Sequence, residues 1–356
     1  MKAGHRVTVL TTSRHDAVEK EEKNGFTIRF LSPSTPMKLS KSWFKESLSV
    51  VRELHAEAPI DVIHSNEFAA KGIIRWARKN AIPMAVVCHG SLRTELLSFL
   101  SAADMRPRYW HWLLLTPMHL IRRCILWEIP MRKASRSIIL VSPTLKRDFS
   151  AYSNGKVRVI ENGITLPDPP KRRASSDKLR LLCTGRADKQ KGFQTAIRAV
   201  SKMQDVPLHL DIVGTGPYFE DLKAISTHLN VDDRVTFHGR VEDDELSRIY
   251  SSADVYLIPT TRYEGLPLAL LEAMSHGIPT ISSDIGGNSD VITHGSDGLF
   301  IKPGDLSELI EAIHRLESDP VERHAISEAA RATAERRFDK HRMISETLEV
   351  LESIAG

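Results

Sequence analysis

The stretch VYLIPTTRYEGLPLALLEAMSHGIPTIS, residues 255–282, decides how the chain folds. It opens on an apolar, β-rich run, Val255–Ile258, and closes on another, Thr280–Ser282. Between them the pattern is helical. Pro267 suits a first helical position, where its missing N–H costs nothing, and Gly277 suits the left-handed residue that ends a helix. Strand, helix and strand in that order predict a parallel sheet with helices on its faces. The N–H groups near Gly265, Leu266 and Leu268 then form a donor-rich, positive helix start. Glu264 stands at its lip, and Glu272 lies about one and a half turns inside.

The same alternation extends in both directions. Upstream, residues 7–10, 27–31, 61–64, 84–87, 137–141 and 157–160 read as strands, with helical composition over 41–56 and 69–79. A run with three prolines, Leu166 to Ser176, has no periodicity and reads as a linker. Strands resume at 179–182, 208–213, 234–237, 255–258, 280–282 and 298–301. The expected fold is therefore α/β: two Rossmann-like, doubly wound domains facing across a cleft. They occupy 1–166 and 178–337, joined by a linker at 167–177, with a last amphipathic helix in 338–356. Ligands of such folds sit beyond the carboxyl ends of the strands.

Composition narrows the setting. The 41% hydrophobic and 26% charged residues are those of a globular protein. Cys88, Cys124 and Cys183 have no paired spacing, which predicts a reducing compartment without zinc or disulfides. The first residues lack the apolar core of a signal peptide, so a cytoplasmic chain is expected. The net charge of +4 conceals an asymmetry: 29 Lys and Arg against 15 Asp and Glu in residues 1–176, then 20 against 30. A basic first half that also holds all the tryptophans predicts either two ordinary surfaces or contact with an anionic partner, an acidic acceptor or a membrane face. The segment Tyr109 to Trp127 is interrupted by Arg122 and Arg123, so it is too short to span a bilayer. It fits packing on its own domain or a place in a membrane interface. No nucleic-acid partner is expected.

Four constellations fall at strand ends. Glu264 and Glu272 flank the helix start described above. Gly185-Arg186 to Lys191-Gly192 follows the first strand of the second domain and suits a diphosphate clamp, because Arg binds in two places and Lys adds a mobile charge. Gly214-Thr215-Gly216 is a tight glycine loop, although it lacks the third glycine of a dinucleotide fingerprint. His89-Gly90 ends a strand of the first domain, opposite that cluster. Solvated Arg and Lys, dipole-favoured Glu and a structural His are the plain alternatives. Glu272 resists that reading, since an apolar helix forces its carboxylate to find a partner, and vicinal hydroxyls of a sugar or ribose would serve.

Glu264 and Glu272 with seven residues between, then His276-Gly277-Ile278-Pro279-Thr280-Ile281, Gly286-Gly287 and Asp297-Gly298-Leu299, resemble the retaining GT-B glycosyltransferases of family 4, also called group 1. Residues 4–10, 61–64, His89-Gly90, Glu161-Asn162-Gly163-Ile164 and 185–192 fall in the same order, so the resemblance covers nearly the whole chain. It implies transfer of a sugar from a nucleotide-diphosphate donor (UDP- or GDP-sugar) to a saccharide or lipid-linked acceptor with retention of configuration. Surface polysaccharide or glycolipid assembly is the implied setting, at the inner face of the plasma membrane if the chain is peripheral. Arg186 and Lys191 would hold the diphosphate, with the N–H groups of Gly265, Leu266 and Leu268 around Pro267. Glu264 would contact the transferred sugar, Glu272 the ribose, and His89 the reacting centre. Gly185, Gly214, Gly216, Arg240 and Val241 would complete the donor site. No cofactor and no metal are implied, and the acidic run 242–245 reads as a solvated helix start.

One departure stands out. Family members begin with a further strand and a Gly-Gly loop before the Gly4-His5 position, so the resemblance implies an N-terminally truncated form or a misassigned start. The alternative function is a non-catalytic, donor-binding homologue or partner subunit. A glycoside hydrolase needs two carboxyls flanking the scissile bond, which suits Glu264 and Glu272 less well beside an anion site. A nucleotide-sugar epimerase is disfavoured by their spacing.

Overall fold

The computed structural model describes residues 4–13, 18–31, 40–102, 110–152, 156–168 and 178–356. The expected linker lies mostly outside them.

The first part holds β1 (Thr8–Thr12), β2 (Lys20–Lys23), β3 (Phe26–Leu31), β4 (Ile63–Asn66), β5 (Met84–Cys88), β6 (Ser137–Leu140) and β7 (Val157–Val159). They form a β1-β3-β2 sheet and a parallel β4-β5-β6-β7 sheet. The second part has one parallel sheet, ordered β10-β9-β8-β11-β12-β13. Its strands are β8 (Leu179–Thr184), β9 (Leu208–Val213), β10 (Val235–Gly239), β11 (Val255–Ile258), β12 (Thr280–Ser283) and β13 (Leu299–Ile301). Every apolar run named from the sequence is a strand, and the α/β architecture of two Rossmann-like halves stands.

Two local departures have physical causes. β2 pairs antiparallel with β3 through a turn at Asn24 (φ 50°) and Gly25 (φ 80°), both left-handed as a tight hairpin requires. Its sequence, Lys-Glu-Glu-Lys, is wholly charged and carries no apolar signal. The helix expected over 69–79 is a 3₁₀ turn, Ala69–Ile73, leading into an α-helix, Ile74–Lys79. Gly72 lets this turn pack close to helix Lys41–Glu57, because a Cβ there would come within 2.4 Å of the Phe44 carbonyl.

The two halves share a core. One buried cluster runs from Met84, Val86 and Cys88 of the first sheet to Leu266, Leu270 and Leu271 of the second part. The last helix, Lys340–Ala355, is capped by Asp339 and lies against the first part. Asp339 bridges to Ile164, Arg342 donates to the Glu161 carbonyl at 2.9 Å, and Glu352 meets His5 at 2.8 Å.

Candidate active site

Helix Leu268–Ser275 starts one residue later than the sequence suggests. Pro267 is its N-cap with φ −75° and ψ 116°, and the proline carbonyl accepts from Leu270 and Leu271 at 3.1 and 3.4 Å. The fixed φ of proline suits this extended residue as well as a helical one. The N–H groups of Gly265, Leu266 and Leu268 have no partner among the described residues, so the donor-rich start is present. Gly277 (φ 63°) ends the helix in the left-handed conformation, with Ile278 donating to Ala273 at 3.0 Å.

Of the expected anion-binding side chains, Lys191 meets the lip of this start through Glu264. Lys191 Nζ lies 2.5 Å from Glu264 Oε1, and Arg262 Nε is 4.0 Å from the same oxygen. Arg186 follows β8 and pairs with Asp188 at 3.2 Å while its side chain remains 68% exposed. His89 directly follows β5 in the first half, and its carbonyl presses on Gly265, where a Cβ would sit 2.0 Å from the oxygen. Burial holds the His89 imidazole below its ordinary pKa, so it is neutral at pH 7. Asn162 Nδ2 donates to the Leu266 carbonyl at 3.2 Å, a second tie between the halves.

Beside the helix start lies a cavity of about 340 Å³, lined by Gly185, Gly214, Arg240, Val241, Leu268 and Glu272 among others. Gly214 must be glycine, because a Cβ there would come within 1.9 Å of the Gly185 carbonyl. Gly216 packs beneath on Ala187 and does not line the cavity. Glu272 finds its partner in Tyr250, whose hydroxyl donates at 2.9 Å. Tyr250 in turn contacts Thr184 Oγ1 at 2.8 Å, which meets Tyr256 at 2.7 Å. Burial raises the Glu272 pKa, with Asp243 adding to it and the Tyr250 bond opposing. Tyr250 and Thr184 carry no motif, and nothing in the sequence pointed to them. Sites for three or more metal-ligating side chains are absent among the described residues.

The arrangement offers positive charge and N–H donors for a diphosphate, and carboxylates for hydroxyl groups on either side. Comparisons with known proteins identify the family. The family model for Glycosyltransferase Family 4 matches residues 1–166, and that for Glycosyl transferases group 1 matches residues 167–333. An uncharacterized glycosyltransferase of Methanocaldococcus jannaschii is 31% identical over 61% of this chain and 60% of its own. An amylovoran biosynthesis glycosyltransferase of Erwinia amylovora is 31% identical over 56% of this chain and 51% of its own. The sulfoquinovosyl transferase of Arabidopsis thaliana is 26% identical over 94% of this chain and 64% of its own. The chain thus spans about half to two thirds of the length of these curated relatives. Among solved structures, sucrose-phosphate synthase from Thermosynechococcus elongatus superposes with a TM-score of 0.80 at 19% identity, over 99% of this chain and 90% of its own. Anabaena HepE in complex with UDP follows at 0.70 and 20%, over 86% of this chain and 82% of its own.

Proposed function

The chain belongs to the glycosyltransferases of group 1 and family 4 type, with the GT-B fold, and from that premise we propose that it moves a hexose from a nucleotide-diphosphate sugar to an acceptor hydroxyl with retention of configuration. The carrying observation is the meeting of Lys191 and Glu264 at a helix start whose N–H groups are free, beside a cavity that holds Glu272.

Arg186, Lys191 and the N–H groups of Gly265, Leu266 and Leu268 receive the diphosphate and the charge that grows on it as the sugar–phosphate bond breaks. That fixed set of donors does the work of a metal, so none is required. Glu264, freed from Lys191 as the diphosphate takes over the ammonium, reads hydroxyls of the sugar. Glu272 reads the ribose, and the backbone at Arg240 and Val241 faces the base. Gly185 and Gly214 let the chain approach the phosphates closely. His89 stands at the reacting centre from the first half. Attack comes from the face the leaving group vacates, through an ion-pair-like transition state, which gives retention. UDP is the leading nucleotide, because the HepE neighbour was solved with it, and GDP is the alternative. The acceptor is a saccharide or lipid-linked saccharide of surface polysaccharide or glycolipid assembly, in keeping with the Erwinia relative's name. We place the work at the cytoplasmic face of the plasma membrane, with the basic first half toward anionic lipid.

Calorimetry with UDP, GDP and ADP tests the donor site, and turnover of the matching donor tests the chemistry. Lys191→Ala is expected to lower turnover by roughly a hundredfold or more, the size of a lost charge-stabilising donor. Glu272→Ala is expected to weaken nucleotide binding about tenfold. Unchanged behaviour in both variants would refute the site. Nucleotide binding without turnover of any donor would point to a non-catalytic homologue.

A further inference from the structure

Glu67 lies just past β4, at the same sheet edge as His89, and no motif includes it. Its backbone is left-handed, φ 49°, a conformation that glycine or asparagine takes at far lower cost. The surroundings enforce it. Glu67 N–H donates to the Val87 carbonyl at 2.8 Å, and Ser65 Oγ donates to the Glu67 carbonyl at 3.2 Å while accepting from Ala70 at 3.0 Å. Those bonds hold the chain in a conformation that is costly for a residue with a Cβ.

The side chain sits one hydrogen bond from the place where the two halves meet. Glu67 Oε1 accepts from the His89 N–H at 2.7 Å, and the His89 carbonyl is the atom pressed against Gly265. Oε2 has no partner among the described residues, yet it is not among the sealed, unsatisfied atoms, so it reaches solvent. The neighbouring charges are committed elsewhere. Glu128 is bonded by Arg123 and Arg132, each at 2.9 Å, and Arg123 also binds Glu95. Arg132 lies over Phe149 at 4.2 Å. Glu67 is therefore a carboxyl with a free oxygen and no paired cation, one hydrogen bond from the His89 backbone that touches Gly265, in the half that supplies none of the phosphate-binding groups.

On the reading of the site as a sugar-transfer centre, we propose that Glu67 is its acceptor-side carboxyl: Oε1 fixes His89, and Oε2 accepts a hydrogen bond from the attacking hydroxyl and orients its oxygen. Only the ionised form accepts with both oxygens. Burial pushes the Glu67 carboxyl up to about 7, Glu128 and Glu95 adding to the rise while the His89 N–H and Arg132 oppose it. Cys88 is lifted to about 12 and stays neutral, and burial holds the His89 imidazole below its ordinary value, so it is already largely neutral where Glu67 ionises. Turnover should therefore rise as Glu67 ionises.

Water can stand in for the acceptor, so the test needs no knowledge of the natural one. Hydrolysis of UDP-glucose, GDP-mannose and ADP-glucose is measured against pH for the wild-type chain, Glu67→Gln and Glu67→Asp, with nucleotide Kd and melting temperature alongside. Gln can still accept from the His89 N–H, so the fold and nucleotide Kd are expected to hold. Wild-type hydrolysis of the accepted donor should rise about tenfold between about pH 6 and pH 8. Glu67→Gln should be flat over that range and about tenfold slower at its top, the size of one lost charged hydrogen bond. Glu67→Asp should recover the pH dependence in part. A Gln variant with the wild-type rate and profile would overturn the role, as would one that loses nucleotide affinity and rate together. A wild-type chain that turns over none of the three donors would instead remove the donor reading, and this role with it.

Discussion

Tyr250 gives the Glu272 carboxyl its hydrogen-bond partner on a helix that is otherwise largely apolar. The helix composition demands a partner, because a buried carboxylate without one costs several kcal/mol. That partner comes from another helix, 22 residues upstream, and adds its own bond to Thr184. The pKa consequences have a definite sign. Burial raises Glu272, and the Tyr250 hydroxyl, donating to the carboxylate, opposes that rise. If ionised Glu272 accepts the ribose hydroxyls, nucleotide affinity is full above its pKa and declines as pH falls through it. Tyr250→Phe removes the opposing bond, so the pKa moves higher and the decline begins at a higher pH. Titration calorimetry from about pH 5 to pH 8 should show the two curves displaced, with the variant about tenfold weaker near the midpoint. Superimposed curves would take Glu272 out of nucleotide binding.

At the scale of elements, helix Leu92–Ala102 fastens the first half to the loops that carry the site. Ser98 Oγ accepts from Tyr263 N–H at 2.9 Å, just before Glu264, and Ser101 Oγ donates to the Thr261 carbonyl at 2.9 Å. Gln190, next to Lys191, donates to the Ser98 carbonyl. The helix thereby touches both loops that bear the proposed diphosphate and sugar contacts. Ser98→Ala leaves the Tyr263 N–H unpaired, and with Ser101→Ala it should cost about 1–3 kcal/mol. Hydrogen exchange at residues 261–263 should accelerate in the double variant while strands β8 to β13 keep their protection. Unchanged exchange there would show that the helix does not hold the loop. None of this clasp was legible in the sequence. Strand positions were, because β-branched runs and glycine or proline punctuation are local signals. Gly277 and the free N–H groups after Glu264 were readable for the same reason. Serines 98 and 101, Tyr250 and Glu67 act across separations of 22 to 165 residues, and no periodicity encodes such pairs. The charged strand β2 was missed because its side chains face water on an edge and no apolar alternation marks it.

The whole molecule is electrically lopsided, and the excess of basic residues lies in residues 1–176. The same half carries the main exposed apolar feature. Helix Trp110–Arg123 and the π-helical turn Cys124–Glu128 leave Leu115, Met118, Ile121, Ile125 and Leu126 exposed, with Arg122 among them. Three of these, at 115, 118 and 125, recur at helical spacing on one side, while Cys124 and Glu128 face inward. Packing on its own domain therefore accounts for only part of this segment. No helix among the described residues is long and apolar enough to cross a membrane, and the prediction here is for contact at the bilayer surface. Apolar side chains would enter the interface and Arg122 would meet anionic headgroups, each basic residue near the surface contributing about 1 kcal/mol. The expected result is flotation with vesicles containing phosphatidylglycerol at low salt and much weaker flotation with neutral phosphatidylcholine vesicles. High salt should release only part of the bound protein, because the Debye length shrinks to roughly 3 Å at 1 M while apolar insertion is unaffected. Met118→Glu with Ile125→Glu should abolish flotation at either salt and leave nucleotide affinity intact, since both side chains are exposed and neither lines the donor cavity. Flotation that survives the double substitution would move the lipid contact elsewhere on the basic half, and no flotation at low salt would remove it altogether.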